Sequence, residues 1–475
     1  MPGLGEQGWR ALVDNGWLQE LIDAVGHDVL RQKPTKLQIL HSLNQQIAHI
    51  DQLLQRQVNE VLHHPDFQAL ESAWSGCRYL LEQLAFDPQV KVKLLDVSWR
   101  DLHRDLTRAI DVEESDLFAK VYSTEFGTPG GEPFGVMLCN HDVSLTPASH
   151  GVDDLRVLQG LAAVGAASFT PFIFNASPSL LDLDDFSGLH TGLDLDTTYR
   201  QARFIKWNAL REQEDVRFIG LALPGVYIRK PYTFSRLRTD RFVYREQVTG
   251  ERDYLKVGAI FPLGAVIARC FMHTGWLAEI TGKRYFGGGV VPSLNIHTSD
   301  VDAQPVISSQ VMIPDALERS LSDLGFIPLC YSAHAGPGVF YSTSSLQRPT
   351  RYDTPQAQIN ARYSAMLQYV LCTSRFAHFL KVLVRDKVGS FSTTDECQHF
   401  LQRWIMQYVM STDEASEVLL AKYPLREARV QVSEPAGGQG AYQCTVHLKP
   451  HFQLESIETS IQFSAEVVTN RMTGS

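Results

Sequence analysis

The chain has 475 residues, of which 44% are hydrophobic and 10% aromatic, so it can bury the cores of two or three domains and is not wholly disordered. Its net charge of −10 argues against general nucleic-acid binding, because phosphate contacts require a surplus of lysine and arginine. Seven scattered cysteines without a C-x-x-C pair, and no secretory signal or long apolar run, predict a cytoplasmic protein with reduced thiols and no membrane span.

Residues 1–62 are predicted to form an N-terminal helical segment. A short amphipathic helix comes first, and its apolar side chains share one face: Leu18, Leu21, Ile22 and Val25. Such a helix needs a docking surface, either on its own chain or on another protein. A longer helix follows Thr35, a plausible N-cap, and its apolar seam steps by three and four residues: Leu40, Leu43, Ile47, Ile50, Leu54, Val58 and Val61. This seam predicts a partner helix, within the chain or in a second subunit.

Residues 63–362 alternate between helix and strand signals, which predicts a central α/β domain in a mixed α/β and α+β fold. One helix is expected from Phe67, with four residues pointing inward: Leu70, Trp74, Cys77 and Leu81. Another is expected over residues 116–122. Alternating or continuous apolar runs predict strands at residues 90–97, 136–139, 172–174 and 218–223.

Residues 363–475 are predicted to form a C-terminal α/β domain. A helix from Cys372 carries one apolar face, namely Phe376, Phe379, Leu380, Leu383 and Val384. A separate basic face holds Arg375, His378, Lys381 and Arg385, which is typical of a solvated surface. A further helix is expected over residues 396–409. Three acidic residues follow, at the start of another helix or at a charged contact: Asp413, Glu414 and Glu417.

The end of the chain alternates as strands do. Tyr442, Cys444, Val446 and Leu448 form one such run. A second, longer run contains Ile457, Thr459, Ile461, Phe463, Ala465 and Val467. A terminal strand of this length either completes its own sheet or pairs with a neighbouring subunit, because a sheet edge exposes unpaired backbone groups.

No active site is expected. The stretch from Gly275 to Lys283 has the wrong glycine spacing for a phosphate-binding loop, and Arg284 replaces the residue that would hold magnesium. His63 and His64 lack a second ligand pair at zinc-like spacing, and catalytic nucleophile motifs are missing. The sequence therefore predicts neither an enzyme nor a cofactor or metal site.

The segment from Arg375 to Phe391, RFAHFLKVLVRDKVGSF, resembles the signature R-F-A-H-[YF]-L-K-x-x-x-R-D-K-[IV]-G-S-F of the TssC/VipB family. This family comprises the large sheath subunits of the type VI secretion system. Further resembling motifs follow the family's order: residues 125–135, 171–179, 207–224, 229–232, 276–282, 325–329 and 345–353. The segment Cys139-Asn140-His141-Asp142 departs from the family pattern.

The resemblance implies a structural subunit of a contractile sheath, which self-assembles helically and pairs with a small sheath subunit through N-terminal helices and C-terminal strands. It further implies an inner tube protein facing Asp413, Glu414 and Glu417, a recycling unfoldase that binds the helix from Leu18 to Val25, and a baseplate. The intersubunit strand would contain Ile457, Thr459, Ile461, Phe463 and Ala465. The signature helix would contribute Arg375, His378, Lys381, Arg385, Asp386 and Lys387. The alternatives are a divergent paralogue that caps or regulates a sheath, and the sheath of a phage-like particle.

Overall fold

The computed structural model describes residues 36–84, 87–128, 130–145, 151–190, 192–233, 242, 244–282, 287–292, 309–332, 336–387, 394–412, 416–433, 442–451 and 461–467. Within these ranges the α-helices are α1 Lys36–Leu62, α2 Pro65–Gln83, α3 Trp99–Arg108, α4 Asp116–Phe118, α5 Thr124–Gly127, α6 Asp154–Ser168, α7 Leu195–Tyr199, α8 Ile205–Arg211, α9 Ile260–Thr274, α10 Asp315–Asp323, α11 Pro355–Ser364, α12 Leu367–Lys387, α13 Thr394–Ile405 and α14 Glu417–Lys422. A π-helical turn, Ala119–Ser123, joins α4 to α5. The strands are β1 Met137–Val143, β2 Phe172–Ala176, β3 Ile219–Leu223, β4 Val226–Tyr227, β5 Lys256–Val257, β6 Phe326–Ser332, β7 Gly336–Phe340, β8 Leu425–Ser433, β9 Tyr442–Pro450 and β10 Ile461–Val467. The predicted mixed α/β fold class is confirmed.

The chain divides into two compact units, residues 1–72 with 229–255, and residues 73–228 with 256–475. The domain boundaries expected after residues 62 and 362 stay predictions. No helix in the described part of the chain combines the length and hydropathy that crossing a bilayer demands.

In the first unit, a buried ion-pair network fastens the segment 229–255 to the helices. Arg229 donates from Nε to Glu71 Oε1 at 2.8 Å and from Nη1 to Glu246 Oε2 at 2.7 Å. The Glu246 side chain is only 1% exposed, and it also accepts the Tyr232 backbone N–H at 2.8 Å. His63 Nε2 lies 3.2 Å from Glu246 Oε1. One guanidinium thus neutralises carboxylates from two separate parts of the sequence.

The second unit is built on a five-stranded sheet in the order β1-β2-β3-β6-β7. Strands β1, β2, β3 and β6 are parallel, and β7 runs antiparallel to β6 at the edge. Successive strand residues face opposite sides, so Phe172 and Phe174 enter one core, which includes α6, while Ile173 enters another, which includes α9. Burial on both faces is typical of parallel sheets covered by helices.

A second sheet of this unit, in the order β10-β9-β8, is antiparallel. Its core joins Val430 and Val446 to Leu401 and Ile405 of α13. The predicted strand at residues 442–448 is confirmed as β9. The predicted strand from Ile457 to Val467 is confirmed as β10 from Ile461 onward, and its first four residues lie outside the described residues. Ile461 pairs with Leu448 and Val467 pairs with Tyr442, so β10 is the edge strand beside β9 in its own chain.

Helix α12 connects the two layers of this unit. Leu367 and Leu371, near its start, belong to the core under the five-stranded sheet. Phe376, Leu380 and Val384, further along, belong to the core of the C-terminal sheet. The helix that carries the signature is therefore shared by two cores.

Two local predictions are wrong. Residues 90–97 form no strand within the described chain, and all but Val90 are exposed. Leu70, Trp74 and Leu81 of α2 do not point inward, and they are 48% to 62% exposed. The helix instead packs through Gly76, where a Cβ atom would come within 2.4 Å of the Phe261 ring, and through the buried Tyr79 and Leu80.

Candidate functional site: the signature helix and assembly surfaces

The His378 side chain lies at the centre of the signature helix and is 1% exposed. Its Nε2 lies 3.0 Å from the Ser168 carbonyl oxygen, which can only accept, so Nε2 carries the proton. Burial and the nearby positive charge of Arg375 lower the pKa of His378 to about 3, and the imidazole is neutral at pH 7. The solvated-face interpretation of this side of the helix is therefore wrong.

Lys381 is enclosed by aromatic rings. Its Nζ lies 4.4 Å from the ring centroid of Phe169, 4.7 Å from that of Tyr122 and 5.4 Å from that of Phe126. Burial disfavours the charged ammonium and lowers the pKa of Lys381 to about 8. Among the described residues, Nζ makes one hydrogen bond, to the Tyr122 hydroxyl at 3.3 Å. The ammonium is stabilised chiefly by the faces of the rings.

Arg385 caps the C-terminal end of helix α5. Its Nη1 donates to the carbonyl oxygens of Phe126 at 3.1 Å and Thr128 at 3.2 Å, where the orphan carbonyls of α5 collect. Its Nε donates to Asp386 at 3.0 Å. The Lys387 side chain lies outside the described residues.

These contacts bring separate sequence motifs together. Phe126 belongs to the family-like motif at residues 125–135, and it meets His378, Lys381 and Arg385. On the opposite side of the helix, Trp276 from another motif stacks on Phe376 with ring centroids 4.1 Å apart. Sequence reasoning missed these contacts. The motifs at residues 125–135 and 276–282 were the available signal that these segments contact the signature helix. These signature residues therefore stabilise the fold of the subunit.

The burial of His378 predicts a specific pH dependence. The unfolded chain binds a proton near pH 6.5 and the folded chain only near pH 3, so His378 removes stability as the pH falls through this window. Between about pH 7.5 and 5 the loss from this residue should be about 2 kcal/mol. His378→Gln keeps a donor for Ser168 and cannot titrate. Urea unfolding should therefore show that the variant loses about 2 kcal/mol less unfolding free energy between pH 7.5 and pH 5 than the unmodified chain does. An unchanged difference between the two pH values would contradict the neutral, buried imidazole.

The described residues of its unit leave most of the apolar seam of α1 exposed. Leu43 and Val58 are half-buried, but most of the seam is 40% to 54% exposed: Leu40, Ile47, Ile50, Leu54 and Val61. Isolated exposed apolar residues are ordinary, whereas a continuous stripe along a helix of 27 residues is typical of a contact surface.

Other expected contact residues are described in part. The helix from Leu18 to Val25 lies outside the described residues, as do Asp413, Glu414, Ile457 and Thr459. Glu417 begins α14, and its side chain is not described. On β10, Ile461 pairs with Leu448, Phe463 with Val446, and Ala465 with Cys444.

The segment that departs from the family pattern lies on β1. His141 stacks on Trp99 with ring centroids 3.8 Å apart, and its Nε2 lies 3.3 Å from Asp154 Oδ2. Trp99 Nε1 donates to the other oxygen of the same carboxylate at 2.8 Å. His141 therefore helps to anchor α3 and α6 to the sheet edge.

Two family models match this chain in succession. The tail sheath N-terminal domain of EvpB/VC_A0108 matches residues 44–347, and the tail sheath gpW/gp25-like domain of EvpB/VC_A0108 matches residues 356–467. The chain belongs to the EvpB/VC_A0108 tail sheath family. Membership confirms the resemblance read from the signature, and it makes the protein a structural subunit of a contractile sheath.

A curated relative supports the assignment to this tail sheath family. The type VI secretion system sheath protein TssC1 of Pseudomonas aeruginosa is 35% identical over 436 residues, which cover 90% of this chain and 86% of the relative. Among solved structures, a chain of the anti-feeding prophage baseplate covers 81% of this chain and 83% of its own length, with 10% identity and a TM-score of 0.37.

The described residues contain no group of three or more His, Cys, Asp or Glu side chains that could hold a metal ion. The seven cysteines are free, and burial raises the pKa of the thiols of Cys372 and Cys444 to about 12. Thiols with such pKa values are poor nucleophiles.

Proposed function

We propose that this chain is the large sheath subunit of a bacterial type VI secretion system. It pairs with a small sheath subunit in the cytoplasm, and the heterodimers stack helically around an inner tube and contract to propel it. The observation that carries the pairing is the uncovered apolar seam of α1. A seam with this spacing is buried in a helical bundle, and its own unit leaves it exposed.

Contraction is mechanical work done at interfaces between subunits. An extended sheath is metastable, and each subunit gains contacts as the lattice shortens. The free energy gained is on the order of a few kcal/mol per interface, and it adds up over many copies. A subunit must move as a firm body for such work to be transmitted. The helix α12, shared by two cores of its unit, supports this requirement.

The further partners of the proposal are assigned to separate parts of the chain. The inner tube would contact the acidic residues Asp413, Glu414 and Glu417, and charge complementarity there would set the register of the tube relative to the sheath. A recycling unfoldase would bind the helix from Leu18 to Val25, and a baseplate would receive the end of the sheath. The strand β10, with Ile461, Phe463 and Ala465, would link neighbouring subunits through the edge that pairs with no strand of the described residues.

The pairing through α1 is tested by placing charges on the seam. In the double variant Ile47→Asp with Leu54→Asp, two carboxylates would be buried against the small subunit, and its co-purification with this chain should fall by roughly 100-fold. The matched control, Gln45→Asp with Gln52→Asp, adds the same two charges to the opposite face of the helix and should leave co-purification unchanged. Full recovery of the small subunit with the seam variant would contradict the proposal.

A further inference from the structure

Arg375 begins the signature, and its hydrogen bonding differs from that of the other basic signature residues. His378, Lys381 and Arg385 each form a hydrogen bond to another segment of the subunit. The guanidinium of Arg375 forms neither a hydrogen bond nor an ion pair within the described part of the chain, and its Nε is buried without a partner. Burial lowers the pKa of Arg375, whereas bonds to two carboxylates raise that of Arg229.

Aromatic rings hold the Arg375 guanidinium in place. Its Cζ lies 4.5 Å from the ring centroid of Phe379 and 5.5 Å from that of Phe271. Ring faces stabilise a cation, but they do not replace the oxygen acceptors that the N–H groups lose with their hydration. Folding has therefore already removed part of the hydration of this cation and restricted its side chain. An arriving acceptor recovers the first cost and avoids the second.

The surface beside this cation has the composition of a protein interface. Arg375 is half-buried, Phe379 is 36% exposed, and the ring of the partly exposed Trp404 lies 5.9 Å from that of Phe379. Arginine and aromatic residues are enriched where proteins bind each other, and they contribute a large share of the binding energy there. We call these three residues the Arg375 surface.

We propose that the Arg375 surface binds a carboxylate side chain of another protein subunit in the sheath. This inference rests on the proposed function and adds a contact outside the seam of α1. A carboxylate matches the single charge of one guanidinium and accepts two parallel N–H bonds from it, whereas phosphate sites usually combine several donors. The carboxylate belongs either to the small sheath subunit or to a second copy of this chain, which has 53 acidic residues against 43 lysines and arginines.

Arg375→Met tests the proposal, because methionine keeps contact with the rings and removes the cation. The urea midpoint of the isolated chain should match that of the control Arg362→Met, which alters an arginine that is 63% exposed. Assembly should weaken tenfold or more at one step, either the co-purification of the small subunit or the heterodimer concentration at which tubules form. Arg362→Met should change neither step.

Arg375→Lys identifies the source of the carboxylate. This variant keeps the charge and loses the planar fork, so it should recover only part of the assembly. In the assembled complex, a carbodiimide joins the amine of the introduced lysine to a carboxylate in contact with it, and mass spectrometry then locates the cross-linked residue. A cross-link to the small subunit and one to a second copy of this chain distinguish the two sources.

The contrary results are separable. Normal assembly of Arg375→Met, or a urea midpoint clearly below that of Arg362→Met, overturns the inference and leaves the proposed function standing. A cross-link that already forms in the isolated chain places the acceptor in the same subunit and overturns the inference as well. If Arg375→Met weakens assembly but the introduced lysine joins no Asp or Glu, the choice of a carboxylate is wrong. An unmodified chain that never binds the small subunit contradicts the proposed function, and the inference falls with it.

Discussion

Replacing Phe376 with alanine should lower the free energy of unfolding by about 3–5 kcal/mol, the usual cost of truncating a fully buried phenylalanine. The ring is 0% exposed and stacks on Trp276 at a centroid separation of 4.1 Å, with Tyr408 and Trp404 at its edges. Truncation leaves a cavity between α12 and the C-terminal sheet and removes the aromatic contacts. Urea unfolding followed by tryptophan fluorescence measures the loss, because Trp276 reports on this cluster directly.

Phe379 provides the control on the same helix. Its side chain is 36% exposed, and it contacts Trp276 and Trp404 at about 6 Å between ring centroids. Phe379→Ala removes the same atoms from a partly solvated site and should cost clearly less. Equal losses for Phe376→Ala and Phe379→Ala would contradict the claim that the signature helix is anchored through Phe376.

Replacing Arg229 with methionine should destabilise the first unit by about 3–5 kcal/mol, because it leaves a buried carboxylate without its cation. Glu246 is 1% exposed and Glu71 is 17% exposed, and both take their charge partner from Arg229. Burial disfavours the guanidinium, but its bonds to Glu71 and Glu246 outweigh that effect and raise the pKa of Arg229 above its usual value. Increased amide exchange or proteolysis in residues 229–255 would reveal the loss.

An exposed ion pair provides the comparison. Arg78 and Glu82 are separated by one helical turn, at 2.8 Å, and their side chains are 80% and 51% exposed. Arg78→Met should cost no more than about 0.5 kcal/mol, because solvent screens such pairs. If Arg229→Met were equally mild, the network would not be what fastens the segment to the helices.

The sequence predicted those parts of the fold whose burial follows from a local pattern. The short apolar runs at residues 172–174 and 218–223 are confirmed as strands β2 and β3, because strands buried on both faces read as continuous hydrophobic segments. The helix at residues 396–409 is confirmed as α13 with a following 3-10 turn. Amphipathic period alone was sufficient there.

Elsewhere a pattern was present but its burial depended on distant residues. The basic face of α12 reads as a surface, yet Ser168 and the rings of Tyr122, Phe126 and Phe169 enclose it. Periodicity within a helix does not contain that information. On α2 the apolar stripe through Trp74 predicts the inner face, whereas the close approach to Phe261 is made at Gly76, which hydrophobicity does not mark.

Residues 90–97 show the converse case. Their alternation is typical of a strand, but no strand of the described residues pairs with them. Alternation within eight residues does not reveal whether a second strand lies beside them.

Negative-stain electron microscopy of this chain co-expressed with its small sheath subunit distinguishes a sheath-building subunit from the alternatives. We expect long tubules with a regular helical repeat, which should be absent when either subunit is expressed alone. Free heterodimers without tubules would contradict a sheath-building role and favour a paralogue that caps or regulates a sheath. Monomers that never bind the small subunit would contradict the account altogether.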